Sequence, residues 1–348
     1  MKNILPLNPA IFTAVFTFSI FLFQIRAQAQ NTVNWLQREF CQAGLKNMAP
    51  SRGISFERVS VPEYRLNSSS SEDAIGNASS EVEHQRKIKL ALRAPLWNSP
   101  GLKAVIGFKY ENEEIEFDDI NDQEYNLHRN IGSQNMKVFG TNLILLKPFK
   151  NNKYLVVRGA MSYNGAYKSL KDVNSNYLNY SMSALLGIRK NADTEFGFGL
   201  SYSNSLNVNS IYPVVLYNHN FNEHWGIEAL LPKRAALRYN FDHKSLALAI
   251  MELDGSRYYI PGVQLSENRV EDLRMEVSEV KFGISYQRQI FSLLWASVDL
   301  GYRKNIGFNF NRYFSDNNRD TIVSSDIPAG MYAGVTLFIT PPRMGKKN

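Results

Sequence analysis

The sequence has a single cysteine, Cys41, so no disulfide can form within the chain. Cys41 is also a poor candidate for lipid attachment, because it lies well beyond the apolar segment near the start of the chain. It follows Arg38-Glu39-Phe40, whose charged and bulky side chains do not resemble a lipoprotein cleavage site. The scarcity and the surroundings of cysteine therefore argue against both a disulfide-rich secreted domain and a lipoprotein.

Long apolar runs are equally scarce. The one at residues 11–25 is shorter than the about 20 apolar residues that a bilayer-spanning helix needs. Lys2 precedes it and Ala27-Gln28-Ala29 follows it, which predicts a signal peptide over residues 1–29, cleaved before Gln30. The alternative is an uncleaved membrane anchor. Since no later stretch could form a transmembrane helix, we expect the mature protein to be either secreted and soluble or a β-barrel.

Basic residues are in excess but form no run. The formal charge is +7, and Lys2 and Arg26 would leave with the signal peptide, so the mature chain carries about +5. A modest excess without a cluster argues against nucleic acid as a partner. The chain has 18 Tyr and 21 Phe but only 44% hydrophobic residues, a composition typical of strands with one polar face.

Apolar and polar residues alternate from about residue 53 to residue 339. In residues 195–202, for example, Phe196 and Phe198 share one face while Glu195 and Gly197 share the other. The same division is found in residues 87–96, 102–111, 177–189 and 279–287. Strict alternation predicts β-strands with one apolar and one polar face.

A soluble β-sandwich would alternate too, but the length of the strands favours a membrane barrel. Many run to ten or more residues, as crossing a bilayer at a tilt requires. The polar face is rich in Gly, Ser and Ala, which suits a lumen. Aromatic residues fall near the predicted strand ends, as interfacial girdles require, at Tyr110, Tyr163, Tyr202, Trp225, Tyr239, Trp295 and Tyr302.

The connections predict an all-β, antiparallel transmembrane β-barrel of about fourteen strands. Short turns alternate with polar loops at 67–84, 113–134, 166–176, 256–270 and 311–327, which predicts both termini in the periplasm. Twelve strands are the alternative, because Pro232 must turn the chain almost alone. We expect a short periplasmic segment at 30–52, the barrel at 53–340 and a tail at 341–348.

Residues 213–232 (PVVLYNHNFNEHWGIEALLP), followed by Arg238-Tyr239-Asn240 and Glu252-Leu253-Asp254-Gly255, carry a family resemblance. They resemble a family of exported Gram-negative proteins known only as a domain of unknown function and as predicted outer-membrane β-barrels. The resemblance spans most of the mature chain. Its motifs mark turns and strand ends, so it implies the fold and no activity.

The inner face of the predicted barrel is the candidate site. Its basic side chains are Lys87, Lys89, Arg93, Lys103, Lys109, Arg158, Arg189, Arg234, Arg238, Lys281 and Arg303, and its acidic ones are Glu111, Glu195, Glu228, Glu279 and Asp299. One interpretation is a set of cross-strand ion pairs that brace the interior. The other is a pore or binding cavity whose basic excess favours anions.

Other chemistry has weaker support. The carboxylates at 111–124 lack the glycine and spacing of a calcium loop, and His219 and His224 flank a turn without further ligands, so no metal site is expected. His84 and His128 lie in predicted loops near serines, including Ser68–Ser71 and Ser133. Polar loops commonly have such neighbours, and no catalytic motif is present. We therefore predict a protein that is not an enzyme and needs no cofactor.

The sequence thus predicts an outer-membrane β-barrel, exported through a cleaved signal peptide. The leading hypothesis is a porin-like channel for small solutes that favours anions. The alternatives are a closed structural or adhesive barrel that presents its external loops, and a barrel-embedded hydrolase. Expected partners are outer-membrane lipid, the barrel assembly machinery and small anionic solutes.

Overall fold

The computed structural model describes residues 45–118, 125–204, 210–266, 268–313 and 320–341. Within them the chain forms sixteen strands and one α-helix, together with 3₁₀ turns at Leu170–Asp172 and Ser175–Tyr177. No helix in these residues combines the length and the apolar character needed to cross a membrane. The elements are β1 (Ile54–Val61), β2 (Tyr64–Ser70), β3 (Ala78–Asn98), β4 (Lys103–Phe117), α1 (Asn126–Gly132), β5 (Met136–Pro148), β6 (Lys153–Ala166), β7 (Leu178–Arg189), β8 (Thr194–Ser203), β9 (Ser210–Asn220), β10 (Trp225–Leu231), β11 (Arg234–Asn240), β12 (Ser245–Ser266), β13 (Arg269–Gln289), β14 (Leu294–Arg312), β15 (Thr321–Asp326) and β16 (Gly330–Ile339).

The strands close into an antiparallel ring of fourteen. β1 pairs with both β3 and β16, so the sheet has no free edge along this part of the ring. The short strand β2 follows β1 and the short strand β15 precedes β16. β2 and β15 pair with each other, and they lie between β3 and β14. The predicted fourteen-strand barrel is confirmed. The twelve-strand alternative is wrong, because β10 and β11 form a separate hairpin.

Short turns gather at one end of the ring, which we call the turn end. The β5–β6 connection shows why the chain reverses so tightly: Asn151 and Asn152 both have positive φ, at 60° and 56°. Two such residues make the kind of turn that matches the twist of a β-hairpin, and asparagine tolerates this conformation. Both ends of the described chain lie here, since Lys46 and Thr340 hydrogen-bond to adjacent turns. Whether this end faces the periplasm stays a prediction.

The outward face carries a continuous apolar band. Phe198 on β8 and Ile284 on β13 are each 63% exposed. So much exposed apolar surface on a closed sheet is the architecture of an outer-membrane β-barrel. On β13 the outward apolar row runs from Val280 to Tyr286, so the residues before Ser278 lie outside the band.

Aromatic side chains border this band, with one exception to the predicted girdle. Trp97, Phe149 and Phe291 are exposed near the short turns, and Tyr163 and Tyr302 near the opposite rim. Trp295 was wrongly predicted among them. It points inward and stacks on Phe338 with ring centroids 6.2 Å apart, because the register of β14 places it on the inner face.

Beyond the band, the strands enclose an apolar core. On β4 the inner row changes from Glu111 and Glu113 to the buried Ile115 and Phe117. We call this core the cap. Its members are Leu66, Ile75, Val82, Ile115, Phe117, Leu127, Ile131, Met136, Val138, Ala166, Tyr258, Ile260, Val263, Leu265, Leu273, Met275, Phe308, Phe310, Ile322, Val323 and Ile327.

Several predicted loops are therefore wrong. Most of 67–84 and 256–270 is strand, because β2, β3, β12 and β13 continue outward to enclose the cap. Within 113–134, β4 runs on to Phe117 and α1 follows, while 119–124 lie outside the described residues. Within 311–327, β15 forms a strand, and 314–319 again lie outside. The segment 166–176 is a connection that contains one 3₁₀ turn, and a second 3₁₀ turn begins at Ser175.

Candidate functional site

One side of the lumen, formed by β1, β3 and β4, is held together by ion pairs. The Nζ of Lys89 lies 3.0 Å from Oε1 of Glu57. The Nζ of Lys87 lies 3.1 Å from Oε2 of Glu113 and 3.7 Å from Oε2 of Glu111. Lys109 completes the row, 3.4 Å from Oε1 of Glu111. Strand alternation places all six side chains on the inner face, where they connect neighbouring strands.

The row continues across β12, β13 and β14. The Nζ of Lys281 lies 2.7 Å from Oε1 of Glu279 and 3.2 Å from Oδ2 of Asp254. A guanidinium nitrogen of Arg303 lies 3.6 Å from Oε2 of Glu279. Asp299 accepts a hydrogen bond of 3.1 Å from the Ser297 hydroxyl. Charges on this side of the lumen are largely neutralised by their neighbours.

Arg238 and Glu228 form a buried pair near the turn end. The Nε of Arg238 donates to Oε1 of Glu228 at 2.8 Å, and the arginine side chain is fully buried. The guanidinium lies against Gly226, where the Cβ of a larger residue would displace it. Removing one partner of such a pair would leave a buried, uncompensated charge.

Glu195 is also buried, and two uncharged side chains donate hydrogen bonds to it. The Tyr154 hydroxyl donates to its Oε1, and the Asn218 amide donates to its Oε2 at 3.0 Å. Tyr154 lies over Gly187, where a Cβ would collide with the ring. Arg189 is the cross-strand neighbour of Glu195, and Lys103 lies on the inner face where β4 begins. Glu195 is thus part of the packed wall of the barrel.

Residues 45–53, which we call the strap, lie across the turn end. Lys46 N–H donates to the Ala192 carbonyl at 3.1 Å, and Ala49 N–H donates to Glu228 at 2.9 Å. At the other end of the strap, Arg93 N–H donates to the Gly53 carbonyl at 2.6 Å. The strap also places the Arg52 guanidinium 4.9 Å from the centroid of the Phe338 ring.

At the opposite end, residues 253–266 and 268–278 form a crossing hairpin. It leaves β11 beyond Leu253, whose N–H donates to the Lys233 carbonyl at 2.9 Å. Its inner face joins the cap through Tyr258 and Ile260, and its back face meets β6. A Cβ at Gly165 would collide with the Tyr259 carbonyl, so glycine permits this close approach.

Between the strap and the crossing hairpin lies a cavity of about 480 Å³. Its uncharged wall carries the hydroxyls of Ser162, Ser181, Ser183, Ser201 and Ser203. Its charged lining comprises six basic residues, Arg52, Lys89, Arg93, Lys109, Arg158 and Lys233, and four acidic ones, Glu57, Glu111, Glu252 and Asp254. The lining therefore has a formal charge of +2.

The excess positive charge comes from side chains without a carboxylate partner. Within the described part of the chain, Arg93, Arg158 and Lys233 have no carboxylate oxygen within 4 Å of their charged nitrogens, and neither does Arg234 nearby. Arg93 and Arg158 are both exposed to the cavity. Such groups retain donors that can bind an anion.

The sequence identified only part of this site. Of the sixteen predicted lumen residues, five line the cavity, namely Lys89, Arg93, Lys109, Glu111 and Arg158, while Lys87, Glu279 and Arg303 line a separate void of about 30 Å³. Glu57 was missed, although it shares the inner face of β1 with Ser55. Arg52 and Lys233 were also missed. They come from the strap and from the β10–β11 turn, where strand alternation gives no signal.

The histidines outside the lumen have structural partners. His219 Nδ1 lies 2.9 Å from the Thr194 hydroxyl, and His224 Nδ1 lies 2.7 Å from the Asn240 carbonyl. His128 Nε2 lies 2.8 Å from Ser68 Oγ, and its Nδ1 lies 2.6 Å from Ser80 Oγ. His128 and both serines are buried, and burial lowers the pKa of His128 to about 4. A serine and a histidine are therefore paired, but within the protein interior.

Residues 53–321 match the family model described as "Domain of unknown function (DUF6268)". The chain belongs to this family. No match is found among curated proteins.

Several solved structures resemble this protein in backbone fold, but their sequence identity to it is low. A FadL homologue of Pseudomonas aeruginosa has 8% identity and a TM-score of 0.39, with 83% of this chain and 90% of that chain covered. The toluene transporter TodX of P. putida has 8% identity and a TM-score of 0.35, with 86% and 94% covered. LpxR from Salmonella typhimurium has 7% identity and a TM-score of 0.33, with 82% and 100% covered. The function has to be argued from the geometry of the lumen.

Proposed function

We propose that this protein is a gated outer-membrane channel for small anionic solutes, exported through a cleaved signal peptide. The observation that carries the proposal is the cavity charge. Arg93 and Arg158 face a space of about 480 Å³ with no carboxylate partner among the described residues. A cluster of cations in a cavity with low-dielectric walls concentrates anions and repels cations.

The gates are the two segments that lie across the lumen. The crossing hairpin covers the cap end, and the strap lies across the turn end. A solute can pass only when both move aside, so the resting barrel conducts little. Brief opening of such segments is consistent with the microsecond to second motions of loops and lids.

The test is the ion selectivity of the refolded protein in a planar lipid bilayer. We expect discrete steps with a higher permeability for chloride than for potassium. The double variant Arg93→Gln and Arg158→Gln should lower that permeability ratio about threefold or more, because it removes two charges from the cavity. A control is Arg86→Gln, since Arg86 pairs with Glu116 at 3.8 Å on the outer face.

Two outcomes would contradict the proposal. A folded barrel that never conducts would favour the second candidate, a closed barrel with a structural or adhesive role. The cap favours that candidate, because it buries apolar residues from nine strands and one helix, as a stable plug would. A conducting barrel whose selectivity is unaffected by the double variant would remove the anion preference alone.

We assign no catalytic role to the pair formed by Ser68 and His128. Both side chains are at most 4% exposed, so little of the serine is open to a lipid or peptide substrate. The low pKa of His128 also makes it a weak base. We propose that the protein has no hydrolase activity.

A further inference from the structure

A second cavity, of about 140 Å³, lies behind the crossing hairpin. Arg274 and Tyr259 line it from the hairpin, and Asn176 and Tyr313 line it from neighbouring connections. Asn179, at the start of β7, lines both this cavity and the larger one. The small cavity therefore lies directly beside the large one, and we call it the vestibule.

Two arginines line the vestibule: the Nε of Arg257 lies 3.6 Å from Oε1 of Glu276, whereas Arg274 has no such pair within the described part of the chain. The side chain of Arg274 is only 8% exposed, and among the described residues no carboxylate oxygen lies within 4 Å of its guanidinium. The guanidinium stacks on the ring of Tyr313, 4.8 Å from the ring centroid. A buried arginine that lacks an anionic partner is costly for the folded protein, and an incoming anion would offset that cost.

The neighbours of Arg274 hold it in place without neutralising it. The Tyr313 hydroxyl donates to Oδ1 of Asn176 at 3.1 Å, and the Asn176 amide lies 3.4 Å from the Tyr259 hydroxyl. Tyr259 and Tyr313 pack edge to face with centroids 5.0 Å apart. Planar rings and amide bonds thus fix one wall, while the guanidinium keeps donors for a ligand.

We propose that the vestibule is a binding site for a small oxyanion, phosphate or carboxylate, from which the solute enters the larger cavity. Its volume accommodates an anion of this size and excludes a polymer. Arginine binds both phosphate and carboxylate through paired N–H groups. The proposal rests on the channel function in one respect only, namely that the bound anion then passes to Arg93 and Arg158.

The test is titration of the refolded full-length protein with inorganic phosphate in detergent, followed by calorimetry. We expect saturable binding that weakens about tenfold or more in Arg274→Gln, because charge-assisted hydrogen bonds are lost. Tyr313→Phe keeps the ring but removes the bond to Asn176, so it should weaken binding by a smaller factor. Arg129→Gln is the matched control, since Arg129 is exposed on α1 and donates to the Asn126 side chain, and neither residue lines the vestibule. Repeating the titration with acetate separates a phosphate preference from a general oxyanion site.

The outcomes separate this inference from the channel function. If Arg158→Gln weakens phosphate binding and Arg274→Gln does not, the anion binds in the large cavity, and the vestibule site is refuted. If no phosphate or acetate binds to a folded protein that conducts anions, the vestibule site is again refuted, and the channel function remains. If Arg274→Gln abolishes binding in a protein that never conducts, the site is supported and the channel function fails. If Arg274→Gln fails to fold, Tyr313→Phe is the deciding variant. Phosphate binding that is unchanged in Tyr313→Phe then overturns the proposal.

Discussion

His128 shows how one residue can make the stability of the cap depend on pH. Its ring lies among Ser68 of β2, Ser80 of β3, Phe117 of β4 and Tyr125, none of which is charged at neutral pH. No carboxylate of the described residues shifts the pKa of the imidazole, so burial acts on it alone and favours the neutral form. The pKa therefore falls from 6.5 to about 4.

We predict that the cap loses stability as the pH falls from about 6.5 to about 4. The unfolded segment gains a proton at His128 first, so stability is complete above pH 6.5 and declines toward the folded pKa. The pKa difference corresponds to a loss of about 3 kcal/mol at most. Hydrogen exchange of α1 and β2, measured at several pH values and corrected for intrinsic rates, should detect this local loosening.

Two histidine variants decide whether His128 is responsible. His128→Gln should flatten the dependence on pH between 6.5 and 4, starting from lower protection at pH 7 because two buried hydrogen bonds change. His84→Gln should retain the dependence, since His84 is half-buried on β3 beside Glu83. Protection of the wild-type cap that stays constant from pH 7 to pH 4 would contradict the prediction.

At the scale of elements, five charged side chains join three connections that hold the crossing hairpin closed. Arg312 donates to Glu72 at 2.7 Å and to Glu271 at 2.8 Å, and it also contacts Asp320. Arg269 binds the same two glutamates. Hydrogen bonds from Arg269 and Arg312 lower the pKa of Glu72, so this network stays ionised at mildly acidic pH. We call these five residues the latch.

We predict that Arg312→Ala opens the crossing hairpin more often. The latch side chains are partly exposed, so the change in free energy should be about 1 kcal/mol, or roughly fivefold in the open fraction. High salt should also raise the open fraction of the wild-type protein, because it screens these ion pairs. Single-channel open probability measures both, with Arg129→Ala on α1 as a control that lies outside the latch. Equal open probability in Arg312→Ala and the wild type would show that the latch does not hold the gate.

The elements differ in how far the sequence predicted them, for a physical reason. In 195–202, one face meets lipid and the other meets a polar lumen, so alternation reveals the strand. In β12, by contrast, Tyr258, Tyr259 and Ile260 are all buried, because protein covers both faces of the crossing hairpin. Pro261 and Gly262, which resemble a turn in the sequence, form an irregularity between paired strands. A strand buried on both faces has no alternation to detect.

At the scale of the whole molecule, the barrel was predictable from the sequence. The obstruction of its lumen by the strap and the crossing hairpin was not. Strand alternation gave Arg93 and Arg158 the correct inward direction. It could not show that Arg52 would enter the lumen on the strap, or that Tyr259 would approach Gly165 from across the mouth. Those contacts join residues distant in sequence, and they depend on backbone hydrogen bonds that carry no residue pattern. The sequence thus predicts a lumen, and the structure adds the two segments that restrict it.

We predict that fixing the strap will block conduction. Lys46 N–H donates to the Ala192 carbonyl at 3.1 Å, which places the two residues on adjacent backbones within the usual span of a disulfide. Lys46→Cys and Ala192→Cys, introduced together with Cys41→Ser, would tether the strap to the β7–β8 turn. The oxidised protein should conduct at least tenfold less than the reduced protein in the same bilayer, because a solute leaving the large cavity must pass the strap. Cys41→Ser alone should show no response to reductant. Equal conductance before and after reduction would mean that the strap is a fixed part of the wall, and the crossing hairpin would then be the only gate that anions have to open.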